Sequence, residues 1–532
     1  MNYDIWLRIV ACISTSVFFF VATHKCLGAM QQSGYNARRF LKWLKRKDNL
    51  YFNRLSLFSL LLFLFCAITS LSFSFLGNRY GVMISALPFL GFCVLFCVAD
   101  GKYALKIPVK YTPRLKRLSL TYLLFIAVFS YLFISVLYFV KRWINVDVYS
   151  VFAYLPYAVM PMFLPVLLIF VNGVEGYFER RNNAKFVKKA TQKLNGSPAR
   201  RIAVVGSYGK TTVKHILATL LGEEYSVCFT PQSYNTPIGV AKTVLSKDFD
   251  DKQIFIAEMG ARKKGDIQEL CEIVKPDYAL LTGVCGQHVE SFGSIKGVAK
   301  AKAEVLAYAK TPVLCSEKAY AVLKEYSIPL DNAEKLVDGA KNVKLFFDKT
   351  EFDLPIYGKM FHVETTLLGM AGVENISLAV ALCERLGMDE ENIKRGIAKI
   401  QPTEHRLQLS VQNGIYILDD SYNANPMSAK EGIDALLRFN GRKFIVTPGI
   451  VETGVLEETI NGELGSRLVE IDEVILVGDT LVGTVKEGYI SAGGDAEKLR
   501  IFPTLQEAQG YLAERVQEGD AVLFLNDLPD VY

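Results

Sequence analysis

The sequence predicts a chain in three parts: an α-helical transmembrane domain of about five spans, an α/β central domain built on a phosphate-binding loop, and a smaller Rossmann-like α/β domain at the C-terminus. Three observations predict it. Apolar runs long enough to cross a bilayer crowd the first third of the 532 residues. A glycine loop followed by Lys-Thr-Thr stands at 206–212, between an apolar strand pattern and an apolar-periodic helix. Beyond it, short apolar strands alternate with helical stretches. The composition agrees, at 51% hydrophobic and 12% aromatic with positive mean hydropathy.

The five apolar runs are Ile5–Thr23, Leu55–Leu76, Gly81–Ala99, Leu118–Val140 and Val151–Val171, which makes 1–171 the membrane domain. A cleaved signal peptide explains the first run only. The loops fix orientation. His24–Arg54 carries eight Lys/Arg, Gly77–Tyr80 one, Asp100–Arg117 six and Lys141–Ser150 two. Rich and poor loops alternate, the positive-inside pattern. The N-terminus is then expected outside. Everything after Val171, including a basic linker over 172–196, is expected in the cytosol, giving a multi-pass plasma-membrane protein with cytosolic catalytic domains.

The net charge of +6 does not call for nucleic acid. No nucleic-acid reader motif is present, and the basic clusters flank the apolar runs, where anionic lipid headgroups account for them. The bilayer is the expected macromolecular partner. The ten cysteines are scattered, with Cys12, Cys66, Cys93 and Cys97 inside apolar runs. No Cys-x-x-Cys or Cys/His ligand spacing occurs, so neither a disulfide frame nor a zinc site is implied.

The central domain is expected over 197–404 and the C-terminal domain over 405–532, with a hinge at Ile400–Thr403. Strand candidates in the first are Arg201–Val205, Ser226–Thr230, Gln253–Glu258, Tyr278–Thr282 and Thr311–Cys315. In the second they are Ile415–Leu418, Lys443–Thr447, Glu473–Val477 and Ala521–Leu525. Helices between them imply mostly parallel sheets, whose ligands bind at the carboxyl ends of the strands. The phosphate loop stands at such an end. It reads Gly206-Ser-Tyr-Gly209-Lys210-Thr211-Thr212, and Val213, Ile216, Leu217, Leu220 and Leu221 make the following helix amphipathic. Loop N–H groups and the helix N-terminus suit phosphate. Lys210 suits the β/γ oxygens of ATP, and the Thr211 hydroxyl suits Mg²⁺. Glu258 ends another strand, and His288 follows a third by a short loop.

Further motifs follow in order: Thr230-Pro-Gln-Ser-Tyr-Asn-Thr-Pro-Ile-Gly239, Ala257-Glu-Met-Gly-Ala261, His288-Val-Glu-Ser-Phe-Gly-Ser294, Gly297-Val-Ala-Lys-Ala-Lys-Ala-Glu304 and Leu418-Asp-Asp-Ser-Tyr-Asn-Ala-Asn-Pro426. Together with the phosphate loop they resemble the Mur ligases, ATP-dependent amide ligases of peptidoglycan precursor synthesis, over roughly residues 197–500. The nearest type is the D-alanyl-D-alanine-adding branch. The resemblance implies that ATP phosphorylates a carboxylate and that an amine then displaces phosphate. It implies Lys210 on the phosphates, Thr211 and Glu258 on a first Mg²⁺, and His288 with a carbamylated Lys302 at a second. It implies Asn375 at adenine, Arg406 at the γ-phosphate, Asp420 at the ribose and Asn235 beside the substrate. Asp419 adjoins Asp420, so the assignment between the two stays open.

The chain departs from that pattern in places. Glu374 stands where the family usually has histidine before Asn375, and Leu378 where it has a later asparagine. Five apolar runs replace the family's N-terminal UDP-sugar-binding domain. The last strand runs into Asn526-Asp-Leu-Pro-Asp530 instead of a Lys-Gly-Ser-like stretch. These departures touch substrate recognition more than ATP chemistry. The expectation is a membrane-anchored ligase of envelope-precursor synthesis acting on a lipid-linked or membrane-proximal substrate. Its partners would be a carboxylate-bearing acyl substrate, an amino acid or dipeptide amine, and other envelope-synthesis enzymes. Two alternatives stand beside it. One is the ordinary D-alanyl-D-alanine-adding reaction. The other is an ATP-driven transporter, for which no Leu-Ser-Gly-Gly-Gln-like signature is present.

Overall fold

The structure is a computed structural model that describes residues 2–45, 51–72, 91–99, 109–144, 149–232, 234–286, 289–337, 339–422 and 424–525. It divides into two units, one ending at Asn182 and the other beginning at Asn183. The stretch from Asn526, where the sequence departs from its relatives, lies outside the described residues.

The first unit is helical: Asn2–Ala22, His24–Gln32, Ala37–Leu44, Tyr51–Ser72, 91–99, Pro113–Ile144 and the start of Tyr149–Gly196. Phe19, Leu27, Tyr122, Leu164 and Leu168 form its core. The Pro113–Ile144 helix is apolar on both sides. Tyr122 and Ile126 face inward, while Leu120, Leu124, Val128, Leu132 and Val136 form an exposed stripe at four-residue spacing. A helix apolar all round suits a buried core or a bilayer.

Among the described residues, Pro113–Val136 and Tyr157–Gly196 are long and apolar enough to cross a membrane. The pair Cys12–Ala22 and His24–Gln32, bent by 45°, makes a third if counted as one span. Five spans are therefore not what the described residues give. The first run breaks at Thr23, whose hydroxyl donates to the Phe19 carbonyl at 2.6 Å. The second contributes only a shorter apolar helix, Arg54–Thr69. Most of the third lies outside the described residues. Residues 172–196, expected as a linker, are helical throughout. Ala190 and Leu194, one turn apart, are buried in the core of the second unit, which is why this stretch holds a helix.

In the second unit, the first sheet contains β1 (Arg200–Val205), β2 (Val227–Phe229), β3 (Ile254–Met259), β4 (Tyr278–Leu281), β5 (Val313–Cys315) and β6 (Ala333–Lys335). The order is β2-β3-β1-β4-β5-β6, all parallel. Ile202 and Val204 point to one core, and Ala203 and Val205 to another. Both faces are covered by helices, as a parallel sheet requires. The chain leaves β1 toward β2 and leaves β4 toward β5, in opposite directions. A crevice opens between the carboxyl ends of those two adjacent strands.

A three-stranded antiparallel sheet follows: β7 (Lys341–Leu345), β8 (Thr350–Ile356) and β9 (Lys359–Thr365). Tyr357 and Gly358 turn β8 into β9, both with positive φ, the backbone that a two-residue hairpin needs. Phe352, Leu354 and Ile356 alternate inward against the Gly369–Arg385 helix. The last sheet has the order β10-β11-β15-β12-β13-β14. Its strands are β10 (Gln408–Gln412), β11 (Ile415–Asp420), β12 (Lys443–Thr447), β13 (Glu473–Val477), β14 (Leu499–Phe502) and β15 (Ala521–Leu525). Only β10 runs antiparallel to its neighbour.

Candidate active site

The phosphate loop leaves the end of β1 and abuts the chain after β4. Ser207 N–H donates to the Gly283 carbonyl at 2.7 Å. A Cβ on Gly206 would lie 2.1 Å from Thr282 Oγ1, so that position admits no side chain. Gly209 has φ +77 and caps the Lys210–Leu221 helix; a Cβ there would lie 2.8 Å from Asn375 Oδ1. Both glycines are therefore set by close approach. Lys210, the first helical residue, folds back to donate to the Ser207 carbonyl at 3.1 Å. Burial lowers its ammonium pKa, and Glu258 pulls it back in part.

Glu258 is 1% exposed near the end of β3. Its Oε2 accepts from Thr211 Oγ1 at 3.0 Å and from Lys214 Nζ at 3.1 Å; its Oε1 accepts from Asn235 Nδ2 at 3.3 Å. Burial alone would raise its carboxyl, but Lys210 and Lys214 outweigh burial and hold it below the ordinary value. Lys214 also donates to the Gln232 carbonyl. Asn235 is fixed by its backbone: its carbonyl accepts from Gly260 N–H at 2.9 Å. The next residue, Thr236, caps the Pro237–Leu245 helix.

Lys302 stands near the end of the Ile295–Ala303 helix and is 1% exposed. Burial, reinforced by Lys210, pushes its ammonium down to about 7. It is not part of a solvated charge face. A neutral amine is the form that reacts with carbon dioxide, so this environment suits a modified lysine.

The last domain supplies the opposite wall. Asp420 ends β11, is 2% exposed, and accepts from Leu407 N–H at 3.2 Å. Its Oδ2 has no hydrogen-bond partner, although the Ser428 hydroxyl lies close enough to favour the charged form. Burial dominates and pushes the carboxyl up to about 6, against the pull of Arg406. Arg406 Nη1 donates to the Tyr422 carbonyl at 2.7 Å, and the guanidinium lies 4.6 Å over the Tyr422 ring.

These groups surround one cavity of about 430 Å³. Gly209, Lys210, Thr211, Thr212, Asn235, Glu258, Lys302, Asn375, Arg406 and Asp420 all line it. Gly206 is not among the lining residues, and His288 lies outside the described residues. Asp419 does not line the cavity. It binds His405 and Ser421 instead, which settles which of the adjacent acids faces the cleft.

Sequence reasoning missed Lys214, although two lysines one turn apart at a helix start share a face and could have flagged it. It also missed Leu367, Leu368, Ala371, Lys318 and Glu431, which line the cavity together with Asn375. Glu374, in place of the family's usual histidine, pairs with Lys318 at 2.7 Å.

The chemistry of the donor set fits a nucleotide and a hard cation. The Thr211 hydroxyl and Glu258 carboxylate are adjacent oxygen donors. Among the described residues no group of three or more His, Cys, Asp or Glu gathers, and Mg²⁺ commonly takes one or two protein oxygens with phosphates and waters. Asp420 Oδ2, buried and without a hydrogen-bond partner, is an acceptor of the kind that suits a hydroxyl donor.

Comparison with known proteins agrees. Residues 204–383 match the Mur ligase middle domain, and 405–526 match the Mur ligase, glutamate ligase domain. The chain is 30% identical to the UDP-N-acetylmuramoyl-tripeptide–D-alanyl-D-alanine ligase of Bacillus subtilis over 339 residues, covering 61% of this chain and 72% of that one. With the Escherichia coli ligase of the same name it shares 29% over 310 residues, 53% of this chain and 65% of the other. The MurF ligase of Thermotoga maritima, solved in complex with ADP, superposes with a TM-score of 0.57 at 26% identity, covering 66% of this chain and 81% of that one. The fold is shared as well with MurF from Acinetobacter baumannii, at a TM-score of 0.58 and 24% identity over 66% of this chain and 78% of that one. A phosphate loop, a buried carboxylate–lysine pair and an acid from the last domain thus converge in a fold and sequence that relatives share, and the chain belongs to the Mur ligase family of ATP-dependent, ADP-forming amide ligases.

Proposed function

We propose that this chain is a membrane-anchored ligase of cell-envelope precursor synthesis, joining an amino acid or dipeptide amine to a carboxylate on a lipid-linked or membrane-proximal substrate. The observation that carries the anchoring is the exposed stripe Leu120, Leu124, Val128, Leu132 and Val136, in a region that precedes the family match at residue 204. Polar side chains in that unit meet across helices, as between bilayer helices: Thr15 Oγ1 donates to the Tyr157 hydroxyl at 2.8 Å, and Thr121 Oγ1 to Glu175 at 2.7 Å. Holding the enzyme on the bilayer raises its effective concentration on a lipid-borne substrate.

The chemistry follows from the cleft. A substrate carboxylate oxygen attacks the γ-phosphorus of ATP, the bond to the β-phosphate oxygen breaks, and ADP leaves. The amine then attacks the acyl carbon, phosphate leaves with the bonding pair, and the amine nitrogen loses a proton. Lys210 and Arg406 carry positive charge to the phosphates where charge develops. The loop glycines Gly206 and Gly209 and the hydroxyl of Thr212 complete the phosphate cradle. Asn375 reads the base, Asp420 accepts from the ribose, and Asn235 orients the acyl substrate. Thr211 and Glu258 would hold one Mg²⁺, with His288 and a carbamylated Lys302 at a second, and the metal supplies charge neutralisation at the phosphates when bound.

The second reading is the ordinary D-alanyl-D-alanine-adding reaction on a soluble UDP-linked tripeptide, favoured by the 30% identity with the Bacillus subtilis ligase. Amine-dependent ADP release by the full-length chain in nanodiscs separates the two. The membrane reading expects kcat/KM about a hundredfold higher for a lipid-linked acceptor than for its UDP-linked counterpart; equal or inverted values would restore the ordinary reaction. The five-span topology has its own check. A reporter at Met1 should be extracytoplasmic and one after Tyr532 cytosolic, and cytosolic labelling of both ends would remove one span.

A further inference from the structure

Arg406 stands between two residues with left-handed backbone, His405 at φ +58 and Leu407 at φ +48. Neither is glycine. Such conformations persist where the surroundings over-determine them, and they gather at functional sites. Besides the Arg406 N–H, which donates to the Thr403 carbonyl at 3.1 Å, the turn's hydrogen bonds go to the end of β11 and the residues just after it. Asp419 Oδ2 meets His405 Nδ1 at 2.7 Å. Asp419 Oδ1 accepts from the Ser421 N–H at 3.0 Å and from its hydroxyl at 2.6 Å. Leu407 N–H donates to Asp420 Oδ1 at 3.2 Å, and Tyr422 N–H to the His405 carbonyl at 3.4 Å. Arg406 itself lines the cavity, whereas His405 and Asp419 do not. The Arg406 charge is felt by both Lys210 and Asp420, so its placement matters to both walls of the cleft.

We propose that Asp419 and His405 are positioning residues: as a pair they clamp the strained 405–407 turn onto the end of β11 and thereby aim the Arg406 guanidinium into the cleft. The pair touches no substrate. This gives the first acid of the Asp-Asp motif a task separate from that of Asp420. It rests on the reading of Arg406 as a phosphate-contacting group. Burial alone would raise the Asp419 carboxyl, but the bonds from Ser421 and His405 hold it below its ordinary value, so it is an anion at neutral pH.

A double-mutant cycle in the full-length enzyme tests it. Asp419→Ala should lower kcat/KM for ATP roughly tenfold to a hundredfold, the order that a misplaced catalytic group costs, with a thermal midpoint close to the parent's. Arg406→Ala should lose at least as much. In the Arg406→Ala background, Asp419→Ala should cost less than about twofold more, because no guanidinium is left to aim. Losses that multiply would overturn the proposal, as would a parent-like Asp419→Ala beside a crippled Arg406→Ala. A parent-like Arg406→Ala would sink the reading of Arg406 and the clamp with it. If Asp419→Ala fails to fold, His405→Gly carries the same cycle. Glycine adopts φ +58 freely, so if the side chain only offset backbone strain the variant would match or exceed the parent. A clamp predicts a loss that Arg406→Ala masks.

Discussion

On the central wall of the cleft, Glu258 meets Thr211, Lys214 and Asn235. On the C-terminal wall, Asp420 keeps a buried oxygen without a hydrogen-bond partner, and Arg406 sits on a strained turn. Glu258 on the first wall is satisfied by protein groups; Asp420 on the second offers an oxygen to a ligand. The contrast follows from the sequence. The central wall grows from the ends of parallel strands β1 and β3, locked in register from Arg200–Ile254 to Val205–Met259. The other wall is held at one strand end and a turn. Losses on the central wall should therefore fall on chemistry and stability, and losses on the other wall on nucleotide affinity.

The sharpest test of the central wall is Lys210→Ala. It removes the cation proposed to meet the phosphates and should lower kcat/KM by roughly 10²–10³-fold, the cost of deleting one electrostatic contact in a dry site. Membrane insertion should be unchanged. Parent-like ADP release would break the nucleotide assignment. Lys302→Ala comes next, with a loss on the order of 10²-fold. Short-chain carboxylates should restore part of the activity by standing in for the carbamate. Intact-mass measurement of the active parent under carbon dioxide should show the added carboxyl group, and a fully active unmodified lysine would contradict that role.

Lys214→Met probes the same wall as structure. Lys214 is fully buried against Glu258, and removing one partner of a buried pair costs about 3–5 kcal/mol. Denaturant unfolding should show that loss. A second change, Glu258→Gln, should recover part of it, because the stranded charge is gone. If the double variant is no more stable than Lys214→Met, the pair is not what holds this corner.

How much of this was legible in the sequence differs between the walls. The long parallel strands were legible because both faces are buried and each reads as an apolar run: Lys443–Thr447, Glu473–Val477 and Ala521–Leu525 fall where composition puts them. The strands β6, β7, β9, β10 and β14 were not, because most of their residues are half-exposed or exposed, as in Lys341–Leu345. β8 does carry a strand signal, the alternating Phe352, Leu354 and Ile356, but Pro355 interrupts it. Motif residues of the central wall were legible because phosphate chemistry dictates their types and spacing. Lys214 and the Asp419–His405 pair were not, because they act on other side chains and no ligand chemistry dictates them. In the N-terminal region, length and apolarity mark candidate spans but not their breaks. At the bend the Thr23 hydroxyl bonds back to its own helix.

The smallest effect, and the one most specific to the second wall, concerns Asp420 and pH. Burial raises its carboxyl from an ordinary value of 3.8 to about 6. The sign follows from that direction. The folded protein holds a proton that the unfolded chain has released, so without ligand this group favours the folded state at low pH and loses that contribution as pH rises through about 6. Nucleotide binding runs the other way. In the proposed role a ribose hydroxyl donates to the carboxylate, and the protonated form no longer accepts equally well. At one pH unit below 6 only about a tenth of the sites are ionised, so ADP affinity should fall by up to about tenfold between pH 7.5 and pH 5. Asp420→Asn should bind ADP more weakly at pH 7.5 and lose this part of the pH dependence. Calorimetric titration of ADP into both proteins at the two pH values measures it. Parallel curves for parent and variant would show that Asp420 does not meet the nucleotide, and the division of labour between the two walls would have to be redrawn around Arg406 alone.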